Sequence, residues 1–109
     1  MNFGITPKSM NMIINVLMNK KEVQKAAIFG SRSIGNYKNG SDIDIAIYGA
    51  NITADLVNEI SVELNEKLPL PYYFDIVHYD SLKHDGLKEH IDKYGKSFYD
   101  KLTKSINLR

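Results

Sequence analysis

Asp42-Ile43-Asp44 puts two carboxylates two residues apart in a segment, Ser41 to Tyr48, whose apolar residues alternate. On a strand, side chains at i and i+2 leave by the same face. Asp42, Asp44 and Ala46 therefore face one way, and Ile43, Ile45 and Ile47 face the other. Two negative charges held side by side repel unless a cation neutralises them, and hard carboxylate oxygens select Mg²⁺ or a similar ion. A solvated strand face, or a turn at the strand start, explains a lone Asp-x-Asp as well as a metal does. The pair gains meaning only from its neighbours.

Two neighbours add to it. Gly30-Ser31 directly follows an apolar run, Ala26 to Phe29, and opens Gly30-Ser31-Arg32-Ser33-Ile34-Gly35. A glycine there lets the backbone come close to a ligand. The amides of a strand-to-helix turn form an anion site. Ser31 adds a hydroxyl, and Arg32 adds a forked cation suited to phosphate oxygens. Arginine occurs only at Arg32 and Arg109, whereas lysine is abundant. The run lacks the Gly-Lys-Ser/Thr of a P-loop and is not GxGxxG, so an ordinary turn would also account for it. The other neighbour is Asp75, a carboxylate inside the apolar run Tyr73-Phe74-Asp75-Ile76-Val77. Burying it alone is expensive. Either it alternates outward to solvent, or its strand lies beside Asp42 and Asp44 and completes a three-carboxylate metal cluster. The three histidines, His78, His84 and His90, lack metal-ligand spacing and read as structural or surface residues.

These residues need a scaffold, and the sequence supplies one. Thr6 caps a first helix, Pro7 suits its first turn, and Met10, Ile13, Ile14, Leu17 and Met18 share its inner face. Lys20 and Lys21 fit its C-terminal turn. Ala26 to Phe29 is a buried strand, followed by a short helix and a loop with Asn39-Gly40 as its turn pair. Ser41 to Tyr48 is the second strand. Thr53 caps a second long helix to about Leu68, with Leu56, Val57, Ile60 and Leu64 inward. Pro69 and Pro71 end it and force an extended path into a strand over Tyr72 to Tyr79. Asp80 or Ser81 caps a last helix through about Tyr94, with Leu87, Ile91 and Tyr94 inward. Gly95 suits a left-handed closing position. Lys96 to Tyr99 is a short edge strand, and the remaining residues fray. The sum is an α/β or α+β single domain, residues 1–109, with a small mixed sheet flanked by helices.

Composition narrows the class. The chain has 109 residues, 43% hydrophobic and 25% charged, a globular balance for one domain. Its net charge of +1 disfavours broad nucleic-acid or anionic-membrane contacts, so recognition must come from a focused site. The absence of cysteine excludes disulfides, thiolate metal sites and cysteine nucleophiles. No apolar run is long enough to span a bilayer or form a signal segment. The expected setting is soluble and cytoplasmic.

Taken together, Gly30-Ser31, the spacing to Asp42-Ile43-Asp44 and the later strand aspartate Asp75 resemble the signature of the DNA polymerase beta-like nucleotidyltransferase superfamily. The stretch Phe29 to Ile47 looks like its minimal nucleotidyltransferase (MNT) branch, and the resemblance covers roughly Ala26 to Tyr99. It implies that Gly30 and Ser31, with Arg32, hold the triphosphate of an NTP. It implies that Asp42 and Asp44 ligate two Mg²⁺ ions. Asp75 would ligate the ion at the attacking hydroxyl and is the candidate base. The chemistry is then in-line displacement at the α-phosphorus, with pyrophosphate leaving and metals about 3.5–4 Å apart flanking the reacting oxygens. One departure stands out: many members read Gly-Ser-Arg-Ala-Arg-Gly, and Ile34 replaces the second arginine here. Lys38 is a candidate for the missing charge.

Larger members carry an acceptor-binding domain, for which 109 residues leave no room. The resemblance therefore implies a separate partner. MNT proteins pair with a separately encoded helical HEPN protein, often as antitoxin with toxin, and can transfer AMP from ATP to a tyrosine of that partner. Two other readings stay open. One is a binding module that neutralises a HEPN partner by contact alone, which has no need of three aspartates. The other is a free-standing transferase for a small molecule such as an aminoglycoside, which the missing acceptor domain disfavours.

Overall fold

The computed structural model describes residues 3–38 and 40–102. The chain runs α1 (Pro7–Met18), β1 (Lys25–Phe29), α2 (Ser31–Ile34), β2 (Ile43–Tyr48), α3 (Ala54–Val62), β3 (Phe74–His78), α4 (Asp85–Tyr94) and β4 (Lys96–Asp100). A π turn, Glu63–Lys67, extends α3, and a 3₁₀ turn, Tyr79–Ser81, precedes α4. The four strands form one mixed sheet in the order β3-β2-β1-β4. β1 is antiparallel to β2 and to β4, while β2 is parallel to β3. A parallel pair needs a long crossover, and α3 with its π turn provides it.

Both faces of the sheet are covered, each by a different part of the sequence. Ile43, Ile45 and Ile47 are fully buried with Ala26, Ile28 and Phe74 against α1 and α3. On the opposite face Phe29 and Ala46 pack against Ile91 of α4, with Leu87 and Val77 beside them. The alternation in β2 therefore holds, but Ala46 is as buried as the isoleucines. α4 brings His90 and Ile91 against Phe29, the strand partner of Asp44.

The helices follow their caps. Thr6 Oγ1 accepts the Ser9 amide at 3.1 Å, and Pro7 opens α1. Ile13 and Leu17 are buried while Met10 and Ile14 pack at the margin, as expected. Met18 is instead 43% exposed. It is the last residue of α1, and one position past Leu17 swings a side chain by about 100° off the core stripe. Lys20 lies beyond the helix and bridges Glu59 and Glu63 across to α3. Thr53 caps α3 by accepting the Leu56 amide at 3.1 Å.

Three expectations are corrected near the C-terminal part. α4 is capped by His84, whose Nδ1 accepts the Leu87 amide at 3.0 Å, and not by Asp80 or Ser81, which sit in the 3₁₀ turn. Gly95 is extended (φ −62°, ψ 137°) rather than left-handed, because the chain passes straight from α4 into β4. Tyr94 is 36% exposed at the end of α4, whereas Ile91 fills the core. Asn39 of the expected turn pair and the tail beyond residue 102 lie outside the described residues. Among the described residues no helix is long and apolar enough to cross a membrane.

Candidate active site

The site lies where β1 ends and where β2 and β3 begin. The register pairs Phe29 with Asp44, and Asp44 with Asp75. Residues paired across strands share a face, so Asp75 stands beside Asp44. Asp42 immediately precedes β2, two residues from Asp44, close enough for its charge to act on the Asp44 carboxyl. Of the two readings open for Asp75, the structure contains a part of each: its strand lies beside Asp44, and its side chain is open to solvent. Asp75 therefore carries no burial cost.

Asp44 is the half-buried member; Asp42 and Asp75 are exposed. Burial pushes the Asp44 carboxyl above its ordinary range, and the negative charges of Asp75 and Asp42 push it further. His90 and Arg32 pull it back in part. Among the described residues no three acidic, histidine or cysteine side chains are gathered into a ready-made metal cage. Like charges spread apart, and a divalent ion supplies the charge that would draw them in. The donor set fits that ion in kind: carboxylate oxygens suit Mg²⁺ far better than a soft metal.

Gly30 follows Phe29 and turns the chain into α2 with φ 77° and ψ −154°, a conformation essentially confined to glycine. A Cβ at this position would collide with Asp44 Oδ2. The glycine thus makes room for the central aspartate as much as for any ligand. The Ser33 and Ile34 amides donate to the Gly30 carbonyl, both at 3.2 Å, and close the turn. Among the described residues the Ser31 hydroxyl has no hydrogen-bond partner, and the side chain is partly exposed beside the aspartates' end of the sheet.

Arg32 is placed differently from what its forked charge suggests. It is 3% exposed. Nε and Nη2 donate to the Ser41 carbonyl at 3.1 and 2.8 Å, and Nη1 donates to the Phe3 carbonyl at 2.9 Å. The guanidinium also lies over the rings of Tyr37 and Tyr72. It is a rivet that joins α2 to the segment before α1 and to the residue preceding Asp42. Each of its three nitrogens donates to a backbone carbonyl, and its charge acts on Asp44. Ile34 is 49% exposed on the last residue of α2 and gives that rim an apolar surface. Lys38 is exposed on the following loop, where its amide donates to Ser41 Oγ at 2.9 Å.

The histidines divide. His78 Nε2 lies 2.7 Å from the Gly49 carbonyl, on the face away from Asp75, and His84 caps α4. Both are structural, as read from sequence. His90 ties α4 to the glycine turn: its Nε2 accepts the Gly30 amide at 3.0 Å. Phe29 meets its ring edge-on, with Tyr94 on another side. Its position next to Ile91 on α4 was the available signal. What the sequence lacked was that α4 packs over β1 at the glycine turn.

The family model for polymerase beta nucleotidyltransferases matches residues 11–104. Among curated proteins none matches the chain. A crystal structure of a toxin–antitoxin with AMP-PNP is 27% identical with a TM-score of 0.71, covering 87% of this chain and 76% of that one. A tri-AMPylated HEPN toxin in complex with MNT antitoxin from Shewanella oneidensis is 25% identical, TM-score 0.65, covering 89% and 74%. A nucleotidyltransferase-like protein from Sulfolobus solfataricus, 18% identical with a TM-score of 0.55 and coverage of 85% and 78%, shares the fold. With 94 consecutive residues matched, carrying the glycine turn and all three aspartates, the chain belongs to the polymerase beta nucleotidyltransferase family.

Proposed function

We propose that this chain is a Mg²⁺-dependent nucleotidyltransferase that moves AMP from ATP to a tyrosine hydroxyl of a HEPN-type partner, acting as the antitoxin of the pair. The observation that carries the reading is the placement of Asp44 against Asp75, with Asp42 two residues before Asp44 and Gly30-Ser31 at the same strand ends. The similarity to an MNT antitoxin found with an AMPylated HEPN toxin, and to a toxin–antitoxin with AMP-PNP, supports the choice of acceptor and nucleotide.

The residues divide the work. The Gly30-Ser31 turn receives the triphosphate, Ser31 through its uncommitted hydroxyl. His90 holds the Gly30 amide, and Arg32 anchors α2 to the Ser41 and Phe3 carbonyls. Asp42, Asp44 and Asp75 would hold the metal ions, and Asp75, exposed on the edge strand, would serve the incoming hydroxyl. Two Mg²⁺ ions, when bound, neutralise the carboxylates and stabilise the attacking and leaving oxygens. The tyrosine oxygen forms a bond to the α-phosphorus as the bond to the bridging oxygen of pyrophosphate breaks. Asp75 or solvent takes the hydroxyl proton.

The test is intact-mass analysis of the HEPN-type protein encoded beside this chain, after incubation with the chain, ATP and Mg²⁺. One or more AMP additions, absent with Asp42→Asn/Asp44→Asn, are expected. A tight complex with no mass gain would replace transfer with inhibition by contact.

A further inference from the structure

β3 is an edge strand, with only β2 beside it. The Ile43 amide donates to the Tyr73 carbonyl at 2.8 Å. Backbone groups along a strand alternate in direction, so the N–H and C=O of Phe74 point out of the sheet. They are met there by one side chain. Asn65 Oδ1 accepts the Phe74 amide at 2.7 Å, and Asn65 Nδ2 donates to the Phe74 carbonyl at 3.0 Å. Nδ2 also donates to Ser61 Oγ at 3.2 Å, which fixes the carboxamide's orientation. A carboxamide carries the same donor and acceptor as a peptide unit, so Asn65 completes the ladder as a single residue of a further strand.

Asn65 sits in the π turn Glu63–Lys67, after the regular part of α3. A π turn widens a helix locally and such turns recur at functional sites. Phe74 is thereby fixed from both sides: by its register with Ile43 across the ladder and by Asn65 outside it. The next residue is Asp75. Edge strands are where pairing slips, and a one-residue slip turns a side chain to the other face. For Asp75 that would mean facing away from Asp44.

We propose that Asn65 is a positioning residue for Asp75: its two-point clamp on the Phe74 backbone holds the Asp75 carboxylate on the Asp44 face, within reach of a shared divalent ion. The role of that ion rests on the nucleotidyltransferase reading; the clamp itself does not. The Asn65 carboxamide bonds to Phe74 and Ser61, so its influence on Asp75 runs through β3.

The test is a double-mutant cycle on Mn²⁺ affinity, followed by water-proton relaxation with the full chain and no nucleotide. Asn65→Ala is expected to weaken Mn²⁺ binding about tenfold, the usual cost of losing a group that orients a ligand. In an Asp75→Asn background the same change is expected to have no further effect, because there is no carboxylate left to position. Asn65→Asp keeps the shape and the acceptor while losing the Nδ2 donor, and is expected to weaken binding in the same direction if Asn65→Ala does not fold. Unchanged Mn²⁺ affinity in a folded Asn65 variant, or equal losses in both backgrounds, would overturn the proposal and leave Asn65 as edge protection. A wild-type chain that binds Mn²⁺ but transfers no AMP overturns the functional reading instead. One that binds no Mn²⁺ overturns both.

Discussion

Asp44 and Asp75 are cross-strand partners on parallel strands, although 30 residues separate them in the chain. Asp44 is the half-buried one, pushed above its ordinary carboxylate range by burial and by its partner's charge. The pair is unfavourable to the fold by itself and favourable to a divalent ion. Stability and function therefore pull in opposite directions at this site.

Asp44→Asn puts that opposition to the test. AMP transfer should fall by about a thousandfold, on the order of 4 kcal/mol, as expected when a metal-borne charge stabilisation of several kcal/mol is lost. The melting temperature without divalent ions should rise, since one of the repelling charges is gone. Paired kinetics and thermal unfolding check both; a variant that is both inactive and less stable would contradict the account.

The raised Asp44 carboxyl also fixes a pH dependence. The folded state holds this proton more tightly than the unfolded chain, whose ordinary value is 3.8. Ionised Asp44 therefore costs stability at neutral pH, and the cost disappears as pH falls through the raised value toward 3.8. The stability gap between Asp44→Asn and wild type, measured without metal, should be widest near neutrality and should close on acidification. With Mg²⁺ present, protons compete for the same oxygens, so Mg²⁺ affinity should weaken over the same interval.

Gly30→Ala adds one methyl group in a φ 77°, ψ −154° conformation and aims it at Asp44 Oδ2. The backbone strain alone is about 1–3 kcal/mol. Denaturant unfolding should show at least that loss, and ATP binding should weaken with it because Asp44 must move. Full stability in the alanine variant would mean that the turn has another conformation within reach.

Arg32→Lys keeps the charge and loses the fork. If the arginine is chiefly a rivet, the lysine variant should lose about 2–4 kcal/mol of stability, as buried carbonyls of Ser41 and Phe3 lose charged donors. The Michaelis constant for ATP should move less than the melting temperature. A stable variant with a much raised Michaelis constant would return Arg32 to direct phosphate contact.

His90→Ala removes the acceptor of the Gly30 amide. The expected loss is about tenfold in ATP affinity, the worth of one hydrogen bond of about 1.4 kcal/mol. His90→Gln, which offers a side-chain oxygen, should restore part of it. ATP titration by calorimetry distinguishes these from a uniform loss of folded protein.

By itself the sequence determined what depends on local periodicity and chemistry. Thr6 and Thr53 cap the helices they were expected to cap, and Ile43, Ile45 and Ile47 fill one core because a strand repeats every two residues. The Gly-Ser spacing to Asp42 and Asp44 was enough for the family resemblance. Tertiary structure decided everything that depends on which strands are neighbours. Only the β3-β2-β1-β4 order brings Asp75 to Asp44, and only the docking of α4 brings His90 to Gly30. Arg32 shows the same limit: a forked cation beside a glycine turn serves phosphate or backbone equally well, and its burial among the Ser41 and Phe3 carbonyls engaged the donors. Asn65 was invisible for a related reason. A polar residue in a helix acquires its role only when the π turn presents it to a strand edge nine residues away.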